Sequence, residues 1–362
     1  MKMADLVAPA IFGQPIPIEP FWLLCFKPYL ATCAMKVLIP VFPESVPATY
    51  IGMMDMLNYA AVFNQRLNPG YTGAPPFVVS LVNMGTNKRV VHGPIGIDTH
   101  YTLGNCPTDT DLIVVPAAVG YMPALVQQYP QLVGWLKSEA EKGVTLSSTC
   151  TGTFFIAATG LLDGKEVTTS WFAADDFRAA YPSITLQDEK LIVDNGHNIT
   201  SGATLSYMNL AIYLIEKYHS KELASFCAKF FLVDKGKDSQ LPYSIFNSQK
   251  QHQDQDILKA QQMIEQDAQE RINITELSSA VAMSERSFLR RFKQATGNTP
   301  SEYIQRVKVE QAKALLEGQN LSVKEIGFQI GYDDLSHFRQ TFKRYTGLTP
   351  TDYKARFSFS NR

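Results

Sequence analysis

Short apolar runs alternate with stretches of helical periodicity between Met35 and about Leu232. The apolar runs read KVLIPVF, FVVSLVNM, DLIVVPA and GVTLSS, and the helical stretches cover residues 50–66, residues 123–142 and the residues after Cys150. Continuous apolar strands separated by helices are typical of a parallel sheet that helices cover on both faces. The pattern therefore predicts a doubly wound, flavodoxin-like α/β domain.

The pattern changes towards the C-terminus. After two further helices, expected near residues 203–218 and 220–231, a glutamine-rich stretch of low apolar content predicts a linker. From Ile257 the strand signal gives way to helical periodicity, which predicts an all-α domain. The expected boundaries are 35–232 for the α/β domain, 233–256 for the linker and 257–356 for the all-α domain.

Residues 1–34 are rich in proline and show neither a helical nor a strand period. A signal peptide is a competing interpretation, but the apolar stretch FWLLCFKPYLATCAM is broken by Lys27 and Pro28. No run reaches the roughly 18 apolar residues that a membrane span needs. We expect an irregular extension, with Met35 as a candidate chain start, and no membrane association.

An internal repeat is the most specific feature of the all-α region. Residues 273–303 recur as residues 322–353, and the offset rises from 49 to 50 residues because the second copy has one extra residue in its turn. Helices are expected before the copies, over about 256–269, and between them, over about 304–317. The matched residues include Phe288 and Phe338, Phe292 and Phe342, Thr299-Pro300 and Thr349-Pro350, and Tyr303 and Tyr353.

Each copy reads as a short helix, a tight turn and a second helix. Asn273 with Glu276, and Ser322 with Glu325, have the spacing of a capping box and predict the start of the first helix. The second helices should begin at polar caps and end at glycines. These are Ser284 and Gly297 in the first copy, and Asp333 or Asp334 and Gly347 in the second. The sequence thus predicts two helix-turn-helix motifs.

The second helix of each motif carries a predicted basic face. Burial of the paired phenylalanines would leave the remaining side chains free to contact DNA in the major groove, since arginine pairs with guanine and glutamine with adenine. For one helix alone, charged residues that merely solvate a surface are the simpler interpretation, but two such helices favour DNA binding. The predicted contacts are Arg286, Leu289, Arg290, Lys293, Ser336, His337, Arg339, Gln340 and Lys343.

Charge and cysteine content add little to this picture. The net charge of −1 hides a basic C-terminal region, because residues 257–362 carry 16 Lys and Arg against 12 Asp and Glu. The five cysteines form no CxxC pair and no cluster with zinc-finger spacing. We expect a reducing compartment, with no metal and no cofactor.

Cys150 lies where the apolar run GVTLSS turns into a helical pattern. A strand that turns sharply into a helix can present a nucleophile at the edge of a sheet. Free cysteine is also among the most buried residue types, so a small core residue is the alternative.

The stretches SERSFLRRFKQATGNTPSEYI and IGFQIGYDDLSHFRQTFKRYTGLTPTDYKARF resemble the AraC/XylS DNA-binding domain. The N-terminal domain resembles the PfpI-like, type 1 glutamine amidotransferase-like fold, through STCTGTFFIAATGLLDGKEVTTSW. This pairing resembles the GlxA family of transcriptional regulators. The resemblance implies a cytoplasmic regulator that binds double-stranded DNA, senses a small-molecule effector, forms a homodimer and can contact RNA polymerase.

Catalytic relatives of the N-terminal domain use an acid, a Gly-Gly pair and often a histidine beside the cysteine. Here those positions hold Thr49, Ala117-Ala118 and Ser170. The resemblance therefore implies a former active site that now binds a ligand, and no enzyme activity. Predicted lining residues are Thr49, Ala117, Ala118, Cys150, Thr151 and Trp171.

Alternatives for the Cys150 site remain open. His92, His100 and His197 are possible bases, although each is expected to be a loop or surface residue, and Asp55 and Glu44 are outside candidates for the acid. With such a partner, Cys150 would serve a hydrolase or hydratase tethered to DNA. Redox sensing through Cys150 is a third interpretation, with Cys106 as the candidate resolving thiol.

Overall fold

A computed structural model describes residues 34–71, 73–250, 252–266 and 272–359. The predicted extension therefore lies outside the described residues except for Ala34. The chain divides into two compact units. The first comprises residues up to Thr169 with Asp176–Leu186 and Ile192–Gly236. The second comprises Ser170–Asp175, Gln187–Leu191 and the chain from Lys237 onward.

The first unit is built on a seven-stranded sheet with the order β10-β11-β7-β6-β1-β2-β5. Its strands are parallel except for the β10–β11 pair. The prediction of a doubly wound, mainly parallel α/β domain is confirmed. The strands are β1 (Met35–Val41), β2 (Phe77–Asn83), β5 (Tyr101–Thr102), β6 (Leu112–Val115), β7 (Thr145–Thr149), β10 (Ile192–Asp194) and β11 (Asn198–Ser201), with the separate pairs β3 (Arg89–His92) and β4 (Ile95–Asp98), and β8 (Glu166–Val167) and β9 (Thr185–Leu186).

Helices cover both faces of this sheet. The helices α1, α6 and α7 share a core with residues of β1 such as Val37, Ile39 and Val41, while α3 and α4 pack on β7. The helices are α1 (Pro47–Leu67), α2 (Met122–Gln128), α3 (Pro130–Glu141), α4 (Thr153–Ala157), α5 (Ala174–Ala180), α6 (Tyr207–Tyr218) and α7 (Lys221–Phe230).

The single helix predicted over residues 123–142 is wrong, because the structure has two helices there. α2 ends at Gln128 and α3 begins at Pro130. Proline disfavours helical geometry in the residue before it, and Tyr129 accordingly has a φ of −119° and a ψ of 53°. The helix predicted after Cys150 is also short, since α4 spans five residues.

The second unit is helical beyond residue 254. Its first helix packs in the core of the first repeat, and its last helix packs in the core of the second. It contains α8 (Gln255–Gln266), α9 (Ile274–Ala280), α10 (Glu285–Thr296), α11 (Pro300–Gly318), α12 (Val323–Gln329), α13 (Leu335–Thr346) and α14 (Pro350–Phe357). Two separate cores hold it together. One contains Phe288, Phe292 and Tyr303, and the other contains Phe338, Phe342 and Tyr353. We call the parts around these cores the first and second repeats.

Most predicted helix boundaries of the repeats are present. Ser284 caps α10 and Asp334 caps α13, each through a side-chain oxygen that accepts a backbone N–H. Gly297 and Gly347 both end their helices with a φ of +72°, a conformation that favours glycine.

Two details of the boundaries differ from expectation. The capping box is complete in the second repeat, where Ser322 and Glu325 bond reciprocally. In the first repeat Asn273 accepts the N–H of Thr275, two positions on rather than three, so the predicted box with Glu276 does not form. The connecting helix, expected from about residue 304, begins at Pro300 because Thr299 and Glu302 form a capping box there.

Candidate functional sites

The exposed face of α10 carries the four residues predicted from its sequence. Phe288 and Phe292 are fully buried, which directs the opposite side of the helix outwards. Arg286, Arg290 and Lys293 are exposed there, and Leu289 keeps 39% of its surface accessible. Together with Glu285, Gln294 and Thr299 they line one open groove. The first helix-turn-helix motif therefore exposes three basic side chains on one face of α10.

Arg291 is the basic residue of α10 that does not join this face. Its guanidinium forms two hydrogen bonds with the carboxylate of Asp254, at 2.6 and 2.9 Å, and a third with Asp256 at 3.0 Å. The hydrogen bond from Arg291 is the main reason that the pKa of Asp254 lies below its usual value. The pair ties α10 to the start of α8.

In the second repeat, α13 presents the corresponding face. Phe338 and Phe342 are fully buried. The ring of Tyr332 packs edge-on against His337, with 5.5 Å between ring centroids, and fixes one end of this face. The predicted contact residues are exposed without exception, namely Ser336, His337, Arg339, Gln340 and Lys343.

A lysine from the preceding helix supports each turn between the two helices of a motif. Lys308 on α11 donates to the carbonyl of Ile330 at 2.8 Å and to that of Gly331 at 3.4 Å, and burial lowers its pKa. Lys259 on α8 donates to the carbonyl of Ala280 at 3.3 Å. These lysines are separated by the 49-residue offset of the repeat, so the duplication includes the helix before each motif.

The loops after β1 and β6 meet at the carboxyl ends of their strands. The strand order reverses between β1 and β6, and in such sheets ligands bind at this point. Here the two loops are joined by backbone hydrogen bonds from Val46 to Ala117 at 2.8 Å and from Val119 to Glu44 at 3.0 Å. Ala117 and Ala118 are both buried.

Cys150 occupies a sharp strand-to-helix turn. It has a φ of +55°, which is uncommon outside glycine, and only 5% of its surface is accessible. Its Sγ lies 3.7 Å from the Thr204 hydroxyl. Gly152 packs so tightly below the turn that a Cβ atom would lie 2.5 Å from the carbonyl oxygen of Val115. The turn has the backbone of a nucleophile elbow.

Thr151 closes the space next to this elbow. Its Oγ1 accepts the N–H of Ala118 at 2.9 Å and donates to the carbonyl of the same residue at 2.8 Å. In an acyl-transfer site a backbone N–H at this loop would stabilise an oxyanion. Here Thr151 already occupies that N–H.

The candidate acids and bases have other contacts. Thr49, at the expected acid position, is buried and donates its hydroxyl to the carbonyl of Val46 at 2.8 Å. Glu44 accepts a 2.5 Å hydrogen bond from the Tyr129 hydroxyl. Burial raises the pKa of Asp55.

Two of the candidate histidines are bonded to neighbours. His92 Nε2 lies 2.8 Å from the hydroxyl of Tyr50, and His100 Nδ1 accepts the N–H of Leu81 at 3.0 Å. His197 is exposed in the turn before β11, as expected of a surface residue.

Trp171 belongs to the second unit, where its backbone N–H donates to Gln240 Oε1 at 3.3 Å. Its role as a ligand contact stays a prediction. Among the described residues, no group of three or more His, Cys, Asp or Glu side chains could hold a metal ion. No helix in the described part of the chain is long and apolar enough to cross a membrane.

The fold and the duplicated motif define an α/β domain joined to a helix-turn-helix domain. The chain belongs to the DJ-1/PfpI family, whose model matches residues 35–217, about half of the sequence. A second model, described as a helix-turn-helix domain, matches residues 277–356. The resemblance to the GlxA family and the AraC-type motif is confirmed, because relatives of this architecture are helix-turn-helix transcriptional regulators.

One such relative is the HTH-type transcriptional regulator GbdR of Pseudomonas aeruginosa. It is 25% identical over 252 residues, which are 68% of this chain and 66% of GbdR, just under two thirds of its length. The HTH-type transcriptional regulator GlxA of Rhizobium meliloti is 22% identical over 61% of this chain and 68% of its own. The solved structure of Drosophila melanogaster DJ-1beta matches 56% of this chain and all of its own with a TM-score of 0.46 and 20% identity.

Proposed function

We propose that this protein is a cytoplasmic transcriptional regulator that binds specific sequences of double-stranded DNA. The observation that carries the proposal is the pair of capped helix-turn-helix motifs whose second helices, α10 and α13, expose basic and amide side chains over buried phenylalanines. Helices of this kind fit the major groove, and two of them can enter grooves about 34 Å apart.

Substitution at one position of each face tests this proposal. Arg290→Ala and Gln340→Ala should each weaken binding to the preferred site by about 1 to 3 kcal/mol and relax the base preference at one position. The preferred site is first selected from random DNA with the full chain. Lys221→Ala, which removes one exposed charge from α7, is the control and should bind like the wild type. Unchanged affinity and base preference in both variants would argue against these faces.

The α/β unit, in this proposal, binds a small-molecule effector at the carboxyl ends of its strands and forms the homodimer. The position of Cys150 and Thr151 beside the β1 and β6 loops supports the effector site, since ligands of doubly wound sheets bind there. Contact with RNA polymerase is part of the same regulatory role.

The unit acts in this proposal without catalysis. Two observations support that view. The N–H of Ala118 is already bonded to Thr151, and the side-chain partner of Cys150 is the Thr204 hydroxyl rather than a base. Titration of the full chain with candidate metabolites, followed by the change in DNA affinity, tests effector control.

A second candidate function, a hydrolase or hydratase tethered to DNA, is favoured by one observation. The positive φ of Cys150 is the strained backbone that a nucleophile elbow requires. The rate of alkylation of Cys150 against pH separates the two functions. A reactive thiolate well below pH 7 would support the enzyme, while a pKa near that of free cysteine, about 8.5, would support the regulator.

A further inference from the structure

The segment that the sequence predicts as a linker packs along the helical unit. We call residues 241–250 the strap. It begins with a single turn of 3-10 helix at Leu241–Tyr243 and then runs without regular structure to Lys250. All of it belongs to the second compact unit.

The beginning of the strap contacts the second repeat. The ring of Tyr243 packs edge-on against Phe357, with 5.4 Å between centroids, and its hydroxyl accepts a hydrogen bond from Arg356. The carbonyl of Ser244 accepts a 2.7 Å hydrogen bond from Lys313 on α11. The side chain of Lys313 is only 6% exposed, so this is a buried and charge-assisted contact.

Phe246 lies at the junction between the repeats. Its ring packs edge-on against Tyr303 in the first core, with 5.2 Å between centroids. The guanidinium of Arg306 lies 5.3 Å from the centre of the same ring and 5.1 Å from the ring of Tyr345 on α13. Arg306 is therefore held between the ring of Phe246 in the strap and the ring of Tyr345 on α13.

The end of the strap contacts the first repeat. Ser248 and Lys250 donate to the two carboxylate oxygens of Glu265 on α8, at 2.7 and 2.6 Å. The carbonyl of Gln249 accepts a 3.0 Å hydrogen bond from the buried side chain of Gln261. Within ten residues the strap has thus contacted both repeats.

The strap adds a connection between two cores that α11 also joins. The first half of α11 packs in one core through Tyr303 and Val307, and the second half packs in the other through Val309, Ala312 and Leu316. A single helix allows its two ends to bend and twist relative to each other. A second connection that crosses the junction restricts that motion.

We propose that the strap, through Phe246, sets the separation and angle of α10 and α13 and so determines which spacing between two DNA half-sites the protein accepts. The proposal rests on the DNA-binding function proposed above. One base pair changes the distance between half-sites by about 3.4 Å and also rotates one around the helix axis, so a rigid pair of recognition helices should reject it.

Binding to DNA sites that differ only in spacing tests the proposal on the full chain. The wild type should bind about tenfold more weakly when one base pair is inserted between half-sites, as it would for a mismatched base pair. Phe246→Ala should bind the optimal spacing more weakly and reduce this discrimination to about threefold or less. Ile245→Ala is the matched control, because Ile245 lies in the strap and is 59% exposed.

A second variant provides a test if Phe246→Ala does not fold. A distance measurement without DNA tests the strap even if the proposed DNA-binding function is wrong. Ser248→Ala combined with Lys250→Ala removes the bonds to Glu265 and leaves the aromatic ring in place. Spin labels at Glu276→Cys and Lys324→Cys, in a chain whose other cysteines are replaced, report the distance between the repeats. The distribution should be narrow in the Ile245→Ala protein and broad in both strap variants.

Equal spacing discrimination and equal distance distributions in Phe246→Ala and Ile245→Ala would overturn the proposal. If the wild type binds no DNA of any sequence, the proposed function fails, while the label distances still decide whether the strap fixes the repeats. If Phe246→Ala does not fold, the double variant at Ser248 and Lys250 replaces it in both measurements.

Discussion

Thr151 and Ala118 are joined by two hydrogen bonds that use one hydroxyl. Thr151 Oγ1 accepts the N–H of Ala118 at 2.9 Å and donates to its carbonyl at 2.8 Å. The residue after Cys150 thereby satisfies the backbone of the loop after β6, at the place where an enzyme of this fold would leave a donor for its substrate. In this chain the local polar groups stabilise the closed loop.

Removal of the Thr151 hydroxyl should therefore destabilise the α/β unit. Thr151→Val keeps the shape and leaves two buried backbone groups without this partner, so we expect a loss of about 1 to 3 kcal/mol. Urea unfolding of the full chain measures it. Thr204→Val, which removes only a 3.7 Å contact to Cys150 Sγ, is the control and should cost less. An equal loss in both variants would contradict the assigned role.

Gly152 is required by close packing. In Gly152→Ala the new Cβ would lie 2.5 Å from the Val115 carbonyl oxygen and 2.6 Å from that of Pro116, both backbone atoms that cannot move aside cheaply. We expect a loss of about 1 to 3 kcal/mol or more, typical of an overpacked core.

Gly134 is the control for the substitution at Gly152. It lies inside α3 with open space around its Cα, so Gly134→Ala should stabilise the protein by roughly 0.5 to 1 kcal/mol. The two alanine variants should thus shift the thermal midpoint in opposite directions, and shifts of the same sign would contradict the packing described at Gly152.

The Asp254–Arg291 pair predicts a stability that decreases in acid. A carboxyl group with a lowered folded pKa stabilises the protein above its unfolded pKa, and this contribution is lost as the pH falls through the folded value. Between about pH 5 and pH 3, hydrogen exchange of α10 should therefore accelerate more in the wild type than in Asp254→Asn. Asp256→Asn, at an exposed partner of Arg291, should resemble the wild type.

Lysine and arginine on the exposed faces of α10 and α13 should contribute differently to DNA binding. Lys343→Ala should weaken binding to all DNA sequences alike and reduce the slope of log affinity against log salt by about one, because lysine mostly contacts phosphate. Measurements at several salt concentrations check this, with Lys221→Ala as the control. A loss confined to the preferred sequence would instead assign Lys343 to base recognition.

Local signals in the sequence were sufficient to predict the helix boundaries of the repeats. Ser284, Gly297 and Gly347 have roles that depend on neighbours within a few positions, so spacing alone predicted them. The apolar runs of β1 and β6 predicted the sheet for a similar reason, since parallel strands that are covered on both faces are often continuously apolar. Pro130 is a local signal of the same kind, because proline disfavours helical geometry in the residue before it, and it separates the two helices between residues 122 and 141.

Contacts distant in sequence could not be predicted in this way. Arg291 is not among the predicted DNA contacts, but no signal within α10 indicates that it pairs with Asp254, which lies 37 positions earlier. The strap has the composition of a linker because a few isolated side chains such as Tyr243 and Phe246 hold it, and their partners come later in the chain. The lining of the ligand pocket likewise stays a prediction.

The position of the strap has a consequence for protein synthesis. Tyr243 precedes its partner Arg356 by 113 positions, so the ribosome synthesises the strap before either repeat. The helical unit can close only after its last helix has been translated. A fragment that begins at Ile257, the boundary that composition suggests, would contain both motifs but would lack the strap that connects them.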